Sequence, residues 1–278
     1  GIQVVSEDEA ARLLSSIVRL ETRDFDFTMI NQVMTEFGVN MDDLAAVAVG
    51  VFDHGAAPPH VSDRKFRFDY LDARIRATNR LSAFAYLWDE IPPFLTRMRA
   101  VTQSAVNLGV PLIVMDTAPA AVLGATFDPV VRSRRRKLIT NIGNFHTLAF
   151  RLGPAGIEGV FEHHTGFLNR AKLEGLLYRL AEGSLTNAEV FDDQGHGALI
   201  YSTGDPQPHK KPRIVVTGPR RNLLQPSAGV HFAVPFGDMM MAGCYGLLAA
   251  IADLIPGLQK PINTSLKGSG GITPWDAE

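Results

Sequence analysis

Five histidines stand in or beside glycine-containing turns, where an imidazole ring can reach a ligand or a reacting group. They are His54 in DHG, His146 in GNFHT, His163 and His164 in EHHTG, and His196 in GHG. Acidic residues adjoin several of them, as Asp53 does His54 and Glu162 does His163. Imidazoles with carboxylates suit zinc, iron or manganese, and they also suit general acid–base chemistry near neutral pH. No pair has the helical spacing of a motif such as HExxH, so both chemistries stay open.

The adjacent pair His163 and His164 limits which rings can share a site. Neighbouring residues of a strand face opposite sides, so at most one of the two points inward. We therefore expect at least two of His54, His146, His164 and His196 to line one cleft. In that reading His54 and His146 act in catalysis with Asp53, and His164 and His196 are metal ligands. The alternative is that each histidine only bonds backbone within its own turn.

Two basic segments have a functional and a structural reading. In DHGAAPPHVSDRKFRF, Arg64 or Arg67 could clamp a phosphate or carboxylate at a strand end, or Asp–Arg pairs could only hold the loop together. The run RSRRRK (132–137) is typical of a solvated loop, with contact to RNA or phosphate as the alternative.

The elements that would position these residues alternate between helices and strands. Ser6 and Thr186 each begin a capping-box pattern, and valine-rich runs at 44–52 and 110–115 predict buried strands. Helices are predicted over 71–90, over 94–108 and from Asp238 onward. Three consecutive antiparallel strands are predicted across KLITNIG, HTLAFRL and GIEGVFEHHTG. The pattern predicts an α/β or α+β protein with a boundary near Met115.

Four later segments stand in a suggestive order. A small-residue helix, DTAPAAVLGA, precedes a strand–glycine turn–strand, NIGNFHTLAF; a strand entering a glycine loop, RIVVTGPRRNLL, precedes a second small-residue helix, FGDMMMAGCYGLLAA. This order resembles the second half of the actin, sugar-kinase and heat-shock-protein ATPase superfamily. The resemblance implies an actin-like (ribonuclease H-like) α/β fold of mixed sheets with flanking helices. It also implies that the two small-residue helices cross at an interdomain hinge.

The resemblance further implies a site for ATP and Mg²⁺. Glycines let successive backbone N–H groups converge on an anion. The implied phosphate turn comprises Asn141, Gly143, Asn144, Phe145, His146 and Thr147. The implied adenosine loop comprises Gly218, Pro219, Arg220 and Arg221. Asp116, beside the first small-residue helix, is the implied catalytic acid.

This sequence departs from the superfamily at several points, among them Pro219, which follows Gly218 where the adenosine loop usually has a second glycine. Its phosphate turn opens with the neutral Asn141, where the superfamily usually has an aspartate that helps to hold magnesium. The aspartate–glycine turn that usually opens the first domain is not found. We therefore expect residues 1–115 to form an incomplete first domain, lacking its first strands, and residues 116–278 to form the second domain. A missing N-terminal segment or a partner chain would complete the clamp.

The chain more closely resembles a bacterial and archaeal family within that clan, through DHGAAPPHVSDRKFRF, GNFHTLAF, EHHTG, DDQGHG and VVTGPRR. Some of its members are labelled pyruvate formate-lyase activating proteins, which implies a radical enzyme with a three-cysteine cluster. The chain has one cysteine, Cys244, so its own side chains cannot supply that cluster. We expect Cys244 to be buried and inert.

Composition narrows the classes of function. The net charge of −2 gives no global sign of binding to nucleic acid or an anionic membrane, and no apolar run approaches the ~20 residues of a transmembrane helix. One cysteine and the lack of a signal peptide predict a cytoplasmic protein. A homo-oligomer is compatible with the sequence.

Three functions remain open. The first is binding of a nucleotide or small anion, with ATP hydrolysis or phosphoryl transfer. The second is a histidine–carboxylate enzyme on the same fold, which would use a transition metal or acid–base chemistry. The third is a non-catalytic scaffold or subunit.

Overall fold

A computed structural model describes residues 5–18, 23–105, 108–202, 212–225 and 229–267. It confirms an α/β protein with two mixed sheets and flanking helices. Within those ranges, each helix is too short or too polar to span a lipid bilayer.

The nine strands of the described ranges form one small and one large sheet. They are β1 Val47–Gly50, β2 Ala85–Leu87, β3 Leu112–Met115, β4 Lys137–Ile142, β5 His146–Gly153, β6 Gly156–His164, β7 Gly197–Ile200, β8 Ile214–Thr217 and β9 Val230–Phe232. The small sheet has the order β1-β3-β2, and the large sheet has the order β7-β6-β5-β4-β8-β9.

The α-helices of the same ranges flank these sheets. They are α1 Glu7–Arg12, α2 Phe27–Glu36, α3 Asp63–Thr78, α4 Thr96–Ser104, α5 Thr117–Ala125, α6 Pro129–Arg132, α7 Arg170–Glu182, α8 Asn187–Phe191, α9 Ala242–Leu254 and α10 Pro256–Leu266. Both predicted capping boxes are confirmed, at Ser6 before α1 and at Thr186 before α8.

The single helix predicted over 71–90 is wrong, because the structure divides these residues between α3 and β2. Ser62 caps α3, which starts eight residues earlier than predicted and ends at Thr78, before Asn79, whose left-handed φ of 42° breaks the helix. The chain then enters β2, which pairs antiparallel with β3 while β1 pairs parallel with it. The short apolar run at 81–87 fits a helix by its local pattern, but Leu81–Phe84 form a 3₁₀ turn, and the last three residues form a strand through their pairing with β3.

The large sheet contains the three predicted antiparallel strands. β4 pairs with β5 and β5 with β6, and on the other edge of β4 the parallel strand β8 follows. His146, the first residue of β5, lies opposite His164, the last residue of β6. This register places two of the candidate histidines side by side at one end of the sheet.

The two small-residue helices, α5 and α9, pack closely. A Cβ at Gly124 of α5 would overlap the carbonyl oxygen of Ala242, and one at Gly246 of α9 would overlap that of Ala120. Glycine is therefore required on both sides of the crossing because the backbones touch.

The start of α9 differs from the prediction. Asp238 accepts a hydrogen bond from Met240 N at 2.7 Å, but the helix begins only at Ala242, so Asp238 is not its cap. Cys244 is exposed, which corrects the expectation of a buried thiol.

One hydrophobic core joins the two sheets. It includes Val114 of β3, Ile139 of β4 and Phe150 of β5, all fully buried. The division at Met115 stays a prediction, since both halves contribute to this core.

Candidate metal centre

Four of the five turn histidines meet at one place, between the small and the large sheet. His54 follows β1, and His146 and His164 are paired residues of β5 and β6. His196 precedes β7, and its backbone N–H donates to Glu162 O at 2.9 Å. The expectation that at least two of these histidines lie together is confirmed, and the structure brings together all four.

The rings are in direct contact. Ring centroids lie 4.8 Å apart for His54 and His196, 5.0 Å for His146 and His196, and 4.6 Å for His164 and His196. Nε2 of His54 lies 2.6 Å from Nε2 of His196. One nitrogen from each of His54, His146 and His196 falls within 4.8 Å of the others, so the three rings could hold a metal ion.

The alternation of β6 decides which of its side chains join this cluster. Glu162 and His164 are two residues apart and share a face. His163 faces the other way, where its Nε2 lies 3.2 Å from Asp193 Oδ2. As the sequence predicted, only one of the adjacent histidines points towards the other rings.

The turn that carries His196 is held by an arginine. Nη1 of Arg64 donates to Phe191 O at 2.8 Å and to Gly195 O at 2.5 Å. Arg64 therefore organises the turn, and its role as a phosphate clamp stays a prediction.

Asp53 anchors the loop that carries His54. Its carboxylate accepts hydrogen bonds from Gly55 N and Met98 N, each at 2.9 Å, and it is 4% exposed. The structure thus uses its two oxygens in backbone contacts, next to the histidine cluster. The catalytic role predicted for Asp53 stays a prediction.

Arg67 and two carboxylates lie beneath the histidines. Arg67 is fully buried, donates from Nε to Glu162 Oε2 at 3.1 Å, and pairs through Nη2 with Asp116. Nη1 donates to Asp53 O at 3.2 Å. Asp116 also caps α5 through Ala118 N, so it reaches the cluster only through Arg67. The three charged groups carry a net charge of −1 when all are ionised.

This environment keeps the histidines neutral. Burial lowers the pKa of His146 to about 4 and that of His196 to about 3, partly opposed by Glu162. Burial also lowers the pKa of His54 and of His164. Burial alone would raise the pKa of Glu162, but Arg67 and the nearby histidines lower it. Neutral imidazole and ionised carboxylate are the protonation states that bind metal.

Three buried polar atoms in this cluster lack a hydrogen-bond partner among the described residues. They are Nε2 of His146, Nδ1 of His196 and Oε1 of Glu162. A buried polar atom without a partner is costly, and proteins seldom keep one without a reason. A cation would satisfy such lone pairs.

Aromatic side chains border the cluster. Phe52 stacks on His146 with centroids 4.7 Å apart, and the guanidinium carbon of Arg67 lies 5.2 Å from the centroid of the Phe52 ring. Phe145 is 79% exposed and Phe167 is 58% exposed, and Phe167 meets His164 edge-on. Sequence reasoning named Phe145 only as part of the implied phosphate turn, and it missed Phe52 and Phe167, because no local pattern distinguishes these two from core residues.

The predicted phosphate turn is a β-hairpin with some of its donors used internally. Gly143 N–H donates to His146 O at 2.9 Å, and the buried Thr147 hydroxyl bonds the Thr165 hydroxyl at 2.9 Å. Asn144 and Phe145 are exposed at its tip.

The predicted adenosine loop packs against the end of β4. Gly218 has a φ of 102°, and a Cβ there would clash with Asn141 Oδ1 and Ile142 O. Arg220 N–H donates to Ile142 O at 3.0 Å, and Arg221 Nη1 lies 3.4 Å from Gly218 O. Pro219 and Arg220 are exposed. The two predicted loops are therefore neighbours.

A family model described as "Putative pyruvate format-lyase activating enzyme (DUF1786)" matches residues 1–223. The chain belongs to the DUF1786 family. The match includes every histidine of the cluster, together with Arg67, Asp116 and Glu162. No curated protein matches the chain significantly.

Proposed function

We propose that this DUF1786 chain is a metal-dependent enzyme whose divalent transition-metal ion is held by His54, His146 and His196. The convergence of one ring nitrogen from each to within 4.8 Å carries the proposal. Tetrahedral zinc, with Zn–N distances of about 2.0–2.1 Å, sets its nitrogen ligands about 3.4 Å apart. Small side-chain adjustments would bring the three rings to that spacing.

The charges around the three histidines favour the binding of a cation. The three rings are neutral, and the buried group of Asp116, Arg67 and Glu162 carries a net charge of −1 when both carboxylates are ionised. The free Oε1 of Glu162 adds a hard oxygen donor at the edge of the imidazole cluster. Mixed nitrogen and oxygen donors favour zinc, iron or manganese over calcium or magnesium.

The exposure of the cluster favours catalysis over a structural role. His54, His146 and His164 are half-buried, while His196 is fully buried. Catalytic zinc sites keep three protein ligands and a position for water, whereas structural sites are closed by four. We infer that an ion held by the three histidines would supply an activated water for hydrolysis, and that Glu162 or His164 would accept the proton of that water.

Metal titration tests this proposal. The chain is stripped with chelator and titrated with Zn²⁺ and with Co²⁺, whose visible absorption reports the ligand field. We expect one ion per chain, and loss of at least about a hundredfold in affinity in His146→Ala or His196→Ala.

His163→Asn is the matched control, because His163 is adjacent and buried but faces away from the other rings. It should keep the wild-type affinity. Equal metal binding by the His146→Ala and His163→Asn variants would reject the site. Metal-dependent release of nitrophenol from nitrophenyl acetate or nitrophenyl phosphate then tests hydrolysis.

A second candidate function is nucleotide binding on an actin-like fold. The close crossing of α5 and α9, and the contact of the Asn141 turn with the Gly218 loop, support this reading. The activating enzyme in the family description would need a cluster bound by three cysteines, and Cys244, the one thiol of this chain, cannot bind such a cluster alone.

Titration with ATP, with and without Mg²⁺, tests the second candidate on chelator-stripped protein. If ATP binds, the free energy of unfolding should rise by about 2.7 kcal/mol at a hundredfold excess over Kd. No change at millimolar ATP would reject this candidate and leave the metal proposal standing.

A further inference from the structure

A cavity of about 450 Å³ lies at the end of β5 opposite the histidine cluster. It is bordered by the chain after α3, the end of α5, the start of β4 and the turn between β5 and β6. β5 runs from His146 at the histidine cluster to Gly153 at this cavity. With a rise of about 3.3 Å per residue, the two sites lie about 20–25 Å apart.

Three cationic side chains line the cavity: Arg80, Arg132 and Lys137. Arg132 donates to Lys267 O at 3.1 Å, and Lys137 donates to Arg134 O at 2.6 Å. None of the three forms an ion pair with a carboxylate of the described ranges. These cations therefore retain charge that a ligand could neutralise.

One acid, Asp253, also lines the cavity, and it accepts a hydrogen bond from Ser82 Oγ at 2.6 Å. The lining therefore has a net charge of +2 from three cations and one carboxylate. Burial lowers the pKa of Lys137 because it disfavours the charged ammonium group, and an anion beside that group would stabilise its charge.

The rest of the wall is largely apolar. Leu123 of α5, Phe127 just after that helix, and Leu152 of β5 line it. Ligand sites commonly combine a mainly apolar wall with a few converging polar groups. A volume of about 450 Å³ is in the range of small-molecule pockets.

We propose that this cavity binds a small organic anion with an apolar body, whose carboxylate, phosphate or sulfonate group meets Arg132 and Lys137. The apolar body lies against Leu123, Phe127 and Leu152. This site is separate from the histidine cluster, and the proposal stands or falls without the metal.

Fluorescence titration with anilinonaphthalene sulfonate tests the proposal, because this probe joins an anionic group to an apolar ring system. We expect saturable binding of one probe per chain. The Arg132→Gln/Lys137→Gln variant should bind at least about tenfold more weakly, because two charge-assisted contacts are lost. Leu123→Trp, which fills the cavity, should also weaken binding. If Leu123→Trp fails to fold, the charge variant still decides the question.

Matched variants and probes separate this site from other surfaces. Arg170→Gln/Lys65→Gln removes two exposed cations elsewhere, and Phe37→Ser removes an exposed apolar ring from the end of α2; both should bind the probe as wild type does. The uncharged phenylnaphthylamine and inorganic phosphate should each bind more weakly than the full probe.

Unchanged binding by Arg132→Gln/Lys137→Gln would overturn the proposal, as would equal binding of phenylnaphthylamine. An equal loss in Phe37→Ser would place the probe on α2 and also overturn it. His146→Ala/His196→Ala should bind the probe normally, so failure of the metal proposal and failure of this one are distinguishable.

Discussion

Arg67 donates to one oxygen of Glu162 at 3.1 Å, while the other oxygen of that carboxylate has no partner in the described part of the chain. The guanidinium fixes the carboxylate in place and leaves Oε1 available beside the imidazoles. Although burial opposes the charge of Arg67, Asp116 and Glu162 together raise its pKa above the ordinary value. The arginine is thus a permanent cation that orients Glu162.

Replacing Glu162 with Gln should weaken metal binding. The change removes the negative charge nearest the rings, and the loss of such a supporting group typically costs about 10–100-fold in metal affinity. Competition with a chromophoric chelator measures the affinity.

Glu158→Gln is the control for this variant. Glu158 is a buried carboxylate of the same strand, β6, paired with Arg151 at 3.1 Å at the opposite end. It should lose stability but keep wild-type metal affinity. Equal metal affinity in Glu162→Gln and wild type would show that the carboxylate does not act on the ion.

Replacing Arg67 with Met should destabilise the fold strongly. Two buried carboxylates would lose their shared cation, and breaking a buried ion pair on one side typically costs about 3–5 kcal/mol. Urea unfolding measures the change.

Neutralising both carboxylates should recover part of this loss. In Arg67→Met/Asp116→Asn/Glu162→Gln no charge is buried without a partner, so the triple variant should be more stable than Arg67→Met alone. A triple variant less stable than the single one would contradict the electrostatic account.

A metal ion should stabilise the native chain. Zn²⁺ at a hundredfold excess over its Kd should raise the free energy of unfolding by about 2.7 kcal/mol, because the separated histidines of the unfolded chain bind it poorly. Calorimetry in the presence and absence of Zn²⁺ measures this. The same gain in His196→Ala would mean that the ion binds elsewhere.

Alanine at Gly246 should separate the helices of the α5–α9 crossing. The new Cβ would overlap Ala120 O, and such overpacking costs about 2–3 kcal/mol. Gly243 lies in the same helix with open space around it, so Gly243→Ala should be neutral or stabilising by about 0.5–1 kcal/mol. Similar unfolding midpoints for the two variants would refute the close approach.

Asp128 should make stability depend on acid pH. It caps α6 through Val130 N and Val131 N and also accepts from His231 Nε2 at 3.0 Å and Val234 N at 2.8 Å. Burial works to raise the pKa of Asp128, but these hydrogen bonds bring it below the ordinary value.

A lowered pKa in the folded state stabilises the fold above the unfolded pKa of about 3.9, and this contribution is lost as the pH falls through the lower folded value. Asp128→Asn should therefore cost about 2–4 kcal/mol at pH 7, and the gap to wild type should narrow below pH ~4. Unfolding measured from pH 3 to 8 tests this. A gap that stays constant over that range would contradict it.

The sequence predicts well those features that neighbouring residues determine. The capping boxes at Ser6 and Thr186 and the opposite faces of His163 and His164 depend on residues within a few positions of each other. The antiparallel strands β4 to β6 are likewise joined by short turns, so their pairing is local.

Features that depend on residues far away in the sequence could not be predicted from local patterns. β2 becomes a strand only through its pairing with β3, and Arg67 is buried only because Asp116 and Glu162 arrive from other elements. His54 and His196 meet although 142 positions separate them. The histidines could be nominated by their turns and their acidic neighbours. Arg67 was singled out as a possible clamp for an anion, but nothing near it in the sequence indicated its partners Asp116 and Glu162.

Because side chains alternate between the two faces of β6, only one register of this strand against β5 brings Glu162 and His164 to the other rings. A slip of one position against β5 would rotate Glu162 and His164 away from the other rings and bring His163 in. A bound ion would gain its full set of donors only in the native pairing, and would penalise the shifted one. Chains refolded with the ion should thus reach a single sheet alignment more often than chains refolded without it.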